Sequence, residues 1–354
     1  MSFIDGYKVC ICNTCGFGFA ADIPEQAEFN RYYKECSKYD CGIAYESGEA
    51  DFPVYIDIIS RYLPDQSVAI LEVGCAIGKF LVALKKAGFT NLVGVDPSPE
   101  CVNHVSALGI PCICATIDDL EATENFDAIL LFATLEHLCD LNSSMHKFKS
   151  LLKNNGLMFI MVPDAMTFSV GHQPPFQEFS IEHINYFSAQ SLANLAIVHE
   201  CVQLETIAVC ESRGVLSVIR KHPSNEDIIF DEGIKLALTQ YIQKSEIKDI
   251  SLERIISAFY GKSLVVWGIG TYTRHLLAKG VLTQCEIRAF VDNNPHLLGG
   301  AITVNGINIP IITPDLLEVA DDIPICIGSQ YYQREIASEI RQRLKLKNRI
   351  VFLF

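Results

Sequence analysis

Short apolar runs recur in this chain at residues 68–73, 92–95, 112–114, 128–132 and 157–162, with amphipathic stretches such as KFLVALKKAG between them. Strand-sized runs alternating with helical patterns predict a parallel sheet buried on both faces, and no other feature constrains the fold as much. Beyond them, residues 188–196 read as a helix with Ser188 as its N-cap, and 204–209 and 215–219 read as an antiparallel pair around CESRG. Residues 225–260 turn helical and charged, and a second alternating series then runs from SLVVWGIG through IRAFVDNN and IPICIGS to RIVFLF. The fold class expected is therefore α/β. A cysteine-bearing module occupies 1–50, a central seven-stranded Rossmann-like sheet 51–222, a helical connection 223–260, and a second Rossmann-like α/β domain 261–354.

Composition removes several classes. With 49% hydrophobic and 20% charged residues among 354, the chain is neither a disordered tail nor a collagenous or coiled-coil repeat. Its 28 basic against 42 acidic residues leave a formal charge of −14, which argues against nucleic acid and anionic membranes as partners. No apolar run reaches the roughly 18 residues of a bilayer span. MSFIDGYK lacks the basic-then-apolar pattern of a secretory signal, so a cytoplasmic location is expected. Most of the 14 cysteines sit in apolar segments, where a reduced thiol acts as a small hydrophobe.

The strand AILEV runs into Glu72-Val73-Gly74-Cys75-Ala76-Ile77-Gly78 and then a helix. Gly74 and Gly78 allow a sharp turn at the strand's carboxyl end, where a ligand can approach bare backbone around Ala76. The spacing is E-x-G-x-x-x-G, not the G-x-G-x-x-G that seats a pyrophosphate on a helix N-terminus. S-adenosylmethionine carries no phosphate and needs an acceptor for its ammonium, which Glu72 can supply directly or through water. The second strand ends at Asp96-Pro97, where a carboxylate can accept from both ribose hydroxyls. Ile117 and Asp118 follow the third strand at the adenine edge, and Phe132 to Glu136 close the fourth at the same rim.

These motifs, over residues 67–162, resemble the class I S-adenosylmethionine-dependent methyltransferases. Three further segments, YKVCICNTCGFGFA with FNRYYKECSKY, FSIEHINYFS, and LVVWGIGTYTRHLL with VDNNPHLLGG, resemble the three-domain bacterial sugar C-methyltransferases. That resemblance implies an N-terminal zinc module, a central methyltransferase domain and a C-terminal domain holding a nucleotide-linked keto-deoxysugar. It implies His183 as the base that removes a proton beside a carbonyl, Glu182 as its orienting or sugar-contacting neighbour, and His137 as a second catalytic histidine. Gly268, Gly270 and Tyr272 fall where the sugar nucleotide's phosphate would meet backbone amides.

The departures are specific. Ser180 stands where the family has a tyrosine, which keeps O-methylation of a sugar hydroxyl open; Tyr33, Tyr39 and Tyr45 are candidates for the family's other phenol. Only one C-x-x-C, Cys12 and Cys15, is present, with Cys10, Cys36 and Cys41 as the possible remaining zinc ligands. Gly268 and Gly270 with Asp292 half-fit an NAD site, but Thr273 replaces the third glycine. An NAD-dependent sugar oxidoreductase and a non-catalytic binding protein therefore stand as alternatives, and a monomer or homodimer is expected.

Overall fold

In the computed structural model the apolar runs become strands because their alternate residues find apolar partners on both sides. The structure describes residues 7–35, 49–121, 126–171, 173–180, 182–295, 297–320, 322–330 and 332–354. They divide into two compact units. The first comprises Lys8–Phe168 and Glu182–Leu238, and the second Met1–Tyr7, Ser169–Ile181 and Thr239–Phe354.

The first unit opens with β1 (Lys8–Ile11), β2 (Gly18–Ala21) and α1 (Gln26–Glu35), followed by α2 (Phe52–Tyr62). Then come β3 (Ala69–Val73), α3 (Lys79–Lys86), β4 (Asn91–Asp96), α4 (Pro99–Ala107), β5 (Cys112–Cys114), β6 (Phe126–Phe132), α5 (Leu141–Leu151) and β7 (Leu152–Pro163). It closes with β8 (Asn185–Tyr186), α6 (Ala189–Val198), β9 (Val202–Val209), β10 (Gly214–Arg220) and the start of α7 (Glu232–Ser257). Seven strands form one sheet in the order β5-β4-β3-β6-β7-β10-β9. It is parallel except for β10, which runs antiparallel to both β7 and β9. Leu71, Ile129, Leu131 and Ile160 enter the core on one face, and Ile70, Leu130, Phe159 and Val218 the core on the other. Helix starts follow their caps: the Ser98 hydroxyl accepts from Cys101 N at 3.4 Å, and Ser188 and Ser191 form a reciprocal capping box at α6.

Two expectations change here. Residues 8–21 form an antiparallel hairpin that pairs through β2 with β8, so the boundary expected at residue 50 does not separate compact units. Helix α7 begins at Glu232 and not near 225. Asn194 anchors the segment before the helix, its amide donating to Ile229 O at 2.7 Å and its oxygen accepting from Ile229 N at 3.0 Å.

The second unit contains β11 (Ser263–Trp267), α8 (Thr271–Ala278), β12 (Glu286–Val291), β13 (Ala301–Val304), β14 (Ile307–Ile312), β15 (Ile325–Ile327), α9 (Gln333–Ser338) and β16 (Ile350–Phe352). Its six-stranded sheet has the order β13-β14-β12-β11-β15-β16. Strands β13 and β14, absent from the expected series, make a hairpin on Asn305 (φ 50°) and Gly306 (φ 79°), the pair a tight two-residue turn favours. Among the described residues no helix is long and apolar enough to cross a membrane.

Candidate active site

The ends of β3, β4 and β6 converge on a cavity of about 290 Å³ in the first unit. Strand β3 leaves the sheet through three left-handed residues, Gly74 (φ 74°), Ala76 (φ 47°) and Gly78 (φ 73°). A Cβ on Gly74 would stand 2.9 Å from the Thr134 hydroxyl, so only glycine fits that turn. Asp96 braces the loop, accepting from Ala76 N at 2.8 Å on one carboxylate oxygen and from Ser98 N at 2.9 Å on the other.

Gly74, Ala76, Asp96, Pro97, Ile117 and Asp118 all line the cavity. Glu72, Gly78 and Phe132 lie outside that lining. Gly78 caps the start of α3. Phe132, expected at the rim, packs against Tyr55 and Phe80 with ring centroids 5.0 and 4.8 Å away, and Ala133 and Thr134 take the rim instead.

Glu72 is 5% exposed, and its Oε2 is buried without a hydrogen-bond partner. Burial pushes its carboxyl up to about 8, with the Asp96 carboxylate adding to the shift. The folded chain thus holds this proton more tightly than the unfolded chain, whose carboxyl titrates near 4.5. The stability this contributes is complete below about pH 4.5 and is lost as pH rises through about 8. Glu72→Gln removes that titration, so its melting temperature should fall less than the wild type's between about pH 5 and about pH 8, by several degrees. Thermal melts across that range with parallel slopes for the two proteins would show that Glu72 does not carry this dependence.

The far wall joins two segments that lie 45 residues apart. His137 follows β6 in a short 3-10 turn, Leu135–His137. Its Nδ1 donates to the Glu182 carbonyl at 2.8 Å, Ile184 N donates to Glu136 O at 2.9 Å, and the Asn185 amide donates to Leu135 O and Leu138 O at 3.1 and 2.8 Å. These bonds clamp Glu182–Asn185 onto the turn and bring the His183 ring centroid within 4.9 Å of His137. Because a carbonyl only accepts, the neutral His137 ring carries its proton on Nδ1 and presents Nε2 as a base. That nitrogen lies 3.9 Å from a carboxylate oxygen of Glu136, which is 1% exposed. Glu136, His137 and His183 each offer a donor atom within 4.8 Å of the others, an arrangement that can share a proton or hold a cation.

Helix α1 supplies a wall that strand-end reasoning misses. Gln26, Asn30 and Tyr33 line the cavity, and their i, i+4, i+7 spacing puts them on one helical face. Tyr33 packs edge-on to His137 at 6.1 Å, and its buried hydroxyl has no hydrogen-bond partner. Burial, reinforced by the Glu182 carboxylate, raises this phenol well above its ordinary value. The neighbouring Tyr32 hydroxyl donates to Glu182 Oε1 at 3.0 Å.

Elsewhere the expected residues meet different surroundings. Cys12 and Cys15 sit on one tight turn closed by Gly16 N donating to Cys12 O at 2.9 Å. Backbone amides of Cys15 and Thr14 lower the Cys12 thiol, and burial raises that of Cys15. Among the described residues no third metal-ligating group joins them, so two of a structural zinc's four ligands are accounted for. Cys36 and Cys41, like Tyr39 and Tyr45, lie outside the described residues.

In the second unit Gly268 (φ 96°) turns the chain after β11, and Ile269 N donates to Asp292 Oδ2 at 2.8 Å. Thr273, which stands in place of a third glycine, is fully buried and donates to Gly268 O at 2.7 Å. Gly328 makes the room, since a Cβ there would overlap the Thr273 hydroxyl. Tyr272 points into the core, its hydroxyl donating to Asp249 at 2.8 Å. Burial alone would raise Asp249, but hydrogen bonds from His275, Lys279 and Tyr272 outweigh it and bring the carboxyl down to about 2.

A family model described as a methyltransferase domain matches residues 48–197. The chain is 30% identical over 97 residues to a ubiquinone biosynthesis O-methyltransferase of Bradyrhizobium diazoefficiens, which is 26% of this chain and 38% of that one. The protein of the same name from Xylella fastidiosa is 30% identical over 116 residues, 30% of this chain and 47% of its own length. The chain thus spans less than half the length of these curated relatives. Among solved structures, the 1,6-didemethyltoxoflavin-N1-methyltransferase of Burkholderia thailandensis, solved with S-adenosylhomocysteine, is 16% identical with a TM-score of 0.44, over 61% of this chain and 99% of that one. The family match over residues 48–197, the glycine loop after β3 and the order of the seven-stranded sheet, which the reversed β10 completes beyond that match, agree on a class I S-adenosylmethionine-dependent methyltransferase domain.

Proposed function

We propose that this chain transfers a methyl group from S-adenosylmethionine to a nucleotide-linked keto-deoxysugar, at a carbon beside the ketone. The observation that carries the reading is a single chamber lined both by the donor-loop residues Gly74, Ala76 and Asp96 and by Tyr33, His137 and His183. The donor, when bound, supplies an electrophilic methyl carbon. Gly74 and Ala76 give it bare backbone, Asp96 takes its ribose hydroxyls, and Pro97, Ile117 and Asp118 flank its adenine. His183 takes the carbon-bound proton, beside the fixed imidazole of His137, while Glu182 orients His183 or contacts the sugar. Tyr33 offers a buried phenol for the enolate oxygen, the hydrogen bond that Ser180 is poorly suited to make.

Deuterium uptake tests the reaction. With S-adenosylhomocysteine and a keto-deoxysugar nucleotide in heavy water, the chain should exchange the carbon-bound proton, read as the mass of the recovered nucleotide. In a parallel reaction with S-adenosylmethionine in place of S-adenosylhomocysteine, methyl transfer without deuterium uptake at carbon would instead point to a hydroxyl acceptor. That second reading is favoured by the O-methyltransferase names of the curated relatives.

In the second unit, taken by itself, the loop at Gly268, Gly270 and Tyr272 is proposed to meet a nucleotide's phosphate through its backbone amides. Gly270 has an ordinary backbone conformation (φ −71°), and a Cβ there meets nothing within 4 Å. Gly270→Val should therefore leave the melting temperature and S-adenosylhomocysteine affinity unchanged while weakening sugar-nucleotide binding by about tenfold or more. Unchanged affinity for both ligands in calorimetric titrations would remove this loop from the site.

A further inference from the structure

We infer that Cys75 and Cys112 form an oxidisable thiol pair whose disulfide displaces the donor loop; the control over ligand binding rests on the donor-site reading above. Their sulfurs lie 3.6 Å apart. Cys75 is buried between Gly74 and Ala76, both of which line the cavity, and Cys112 begins strand β5 at the edge of the sheet, where it is only half-buried. Gly94 of β4 lies against both. A Cβ on it would stand 2.7 Å from the Cys75 sulfur and 3.1 Å from that of Cys112, so the absent side chain is what lets the thiols meet. The hydrogen bond from Cys75 favours the thiolate on Cys112, which is the more accessible of the two.

The oxidant is a small peroxide. The Cys112 thiolate attacks one peroxide oxygen, the O–O bond breaks, and hydroxide leaves to become water with the proton that Cys112 has shed. The Cys75 sulfur then attacks the resulting sulfenic acid, an S–S bond replaces the S–O bond, and a second water leaves with the Cys75 proton. Two thiols and one hydrogen peroxide give one disulfide and two waters, with two electrons passing from sulfur to oxygen.

Closing 3.6 Å to the ~2.05 Å of a disulfide moves the sulfurs together by about 1.5 Å. The loop has little slack to absorb this. Gly74 N and Cys75 N donate to Val95 O at 2.8 and 3.1 Å, and Ala76 N donates to Asp96 at 2.8 Å. The strain therefore falls on backbone that faces the donor.

The test treats the full chain with hydrogen peroxide, maps peptides without reduction, and titrates S-adenosylhomocysteine before and after. The expected result is a Cys75–Cys112 linked peptide, lighter by two hydrogens and restored by dithiothreitol, with affinity lower by about tenfold or more in the oxidised protein. Cys112→Ser should keep its affinity after the same treatment. Absence of the linked peptide overturns the pair. A linked protein that binds as tightly as the reduced one overturns the control, and equal loss in Cys112→Ser assigns the effect to another cysteine and overturns it too. Reduced protein that binds no S-adenosylhomocysteine overturns the donor reading and the control built on it, while the pair is judged by peptide mass alone.

Discussion

Replacing His183, the proposed base, with asparagine should slow exchange of the proposed acceptor's carbon-bound proton by roughly 100-fold or more, the usual range for removing a general base. The backbone around it should survive, because the clamp on Leu135–Leu138 is made by the Glu182 carbonyl, Ile184 N and the Asn185 side chain. Asparagine is near histidine in size but takes up no proton near pH 7. S-adenosylhomocysteine affinity should stay within about twofold of wild type, since the donor loop and Asp96 are untouched. Measuring exchange by mass and binding by calorimetry separates the outcomes. Wild-type exchange in His183→Asn would transfer the base role to His137, whose Nε2 faces the same cluster. Loss of exchange together with donor binding would mean damage to the whole cavity.

Asp96→Ala should weaken S-adenosylhomocysteine binding by roughly tenfold to a hundredfold, because hydrogen bonds to a charged carboxylate contribute about 1.5–3 kcal/mol. The effect has two sources. The carboxylate is proposed to take the ribose hydroxyls, and it already holds Ala76 N and Ser98 N at 2.8 and 2.9 Å. Asp96→Asn separates them. One amide oxygen can still accept from Ala76 N and brace the loop, whereas the ribose loses a charged acceptor. Asparagine should therefore fall between wild type and alanine in affinity, with a melting temperature near wild type. Wild-type affinity in Asp96→Ala would take Asp96 out of the donor site.

Much of this was legible in the sequence because local chemistry and global fold agree. The runs that alternate between two cores became β3 to β7, β9 and β10, and Gly74, Ala76, Asp96, Pro97, Ile117 and Asp118 line the cavity, as their strand-end positions imply, while Glu72 and Gly78 of the same loop do not. His137 and His183 met although 45 residues separate them, through backbone hydrogen bonds that no periodicity encodes. What escaped was held by tertiary contact. Gln26 and Asn30 share one face of a polar helix with Tyr33, the candidate phenol, and nothing in an apolar pattern marks that face as lining a site. Phe132 ends a strand as expected, yet its ring has apolar company in Tyr55 and Phe80 and turns into it. The β13–β14 hairpin was signalled by Asn305-Gly306, a local turn signature, and not by the alternation that marks the parallel strands around it.

That the cavity is a methyl-donor site is tested most directly by calorimetric titration of the full chain with S-adenosylhomocysteine and, separately, with NAD. The predicted result is saturable binding of one S-adenosylhomocysteine, weakened roughly tenfold to a hundredfold by Asp96→Ala and untouched by Gly270→Val, with no heat from NAD. Saturable NAD binding lost in Gly270→Val, with no binding of S-adenosylhomocysteine, would contradict it.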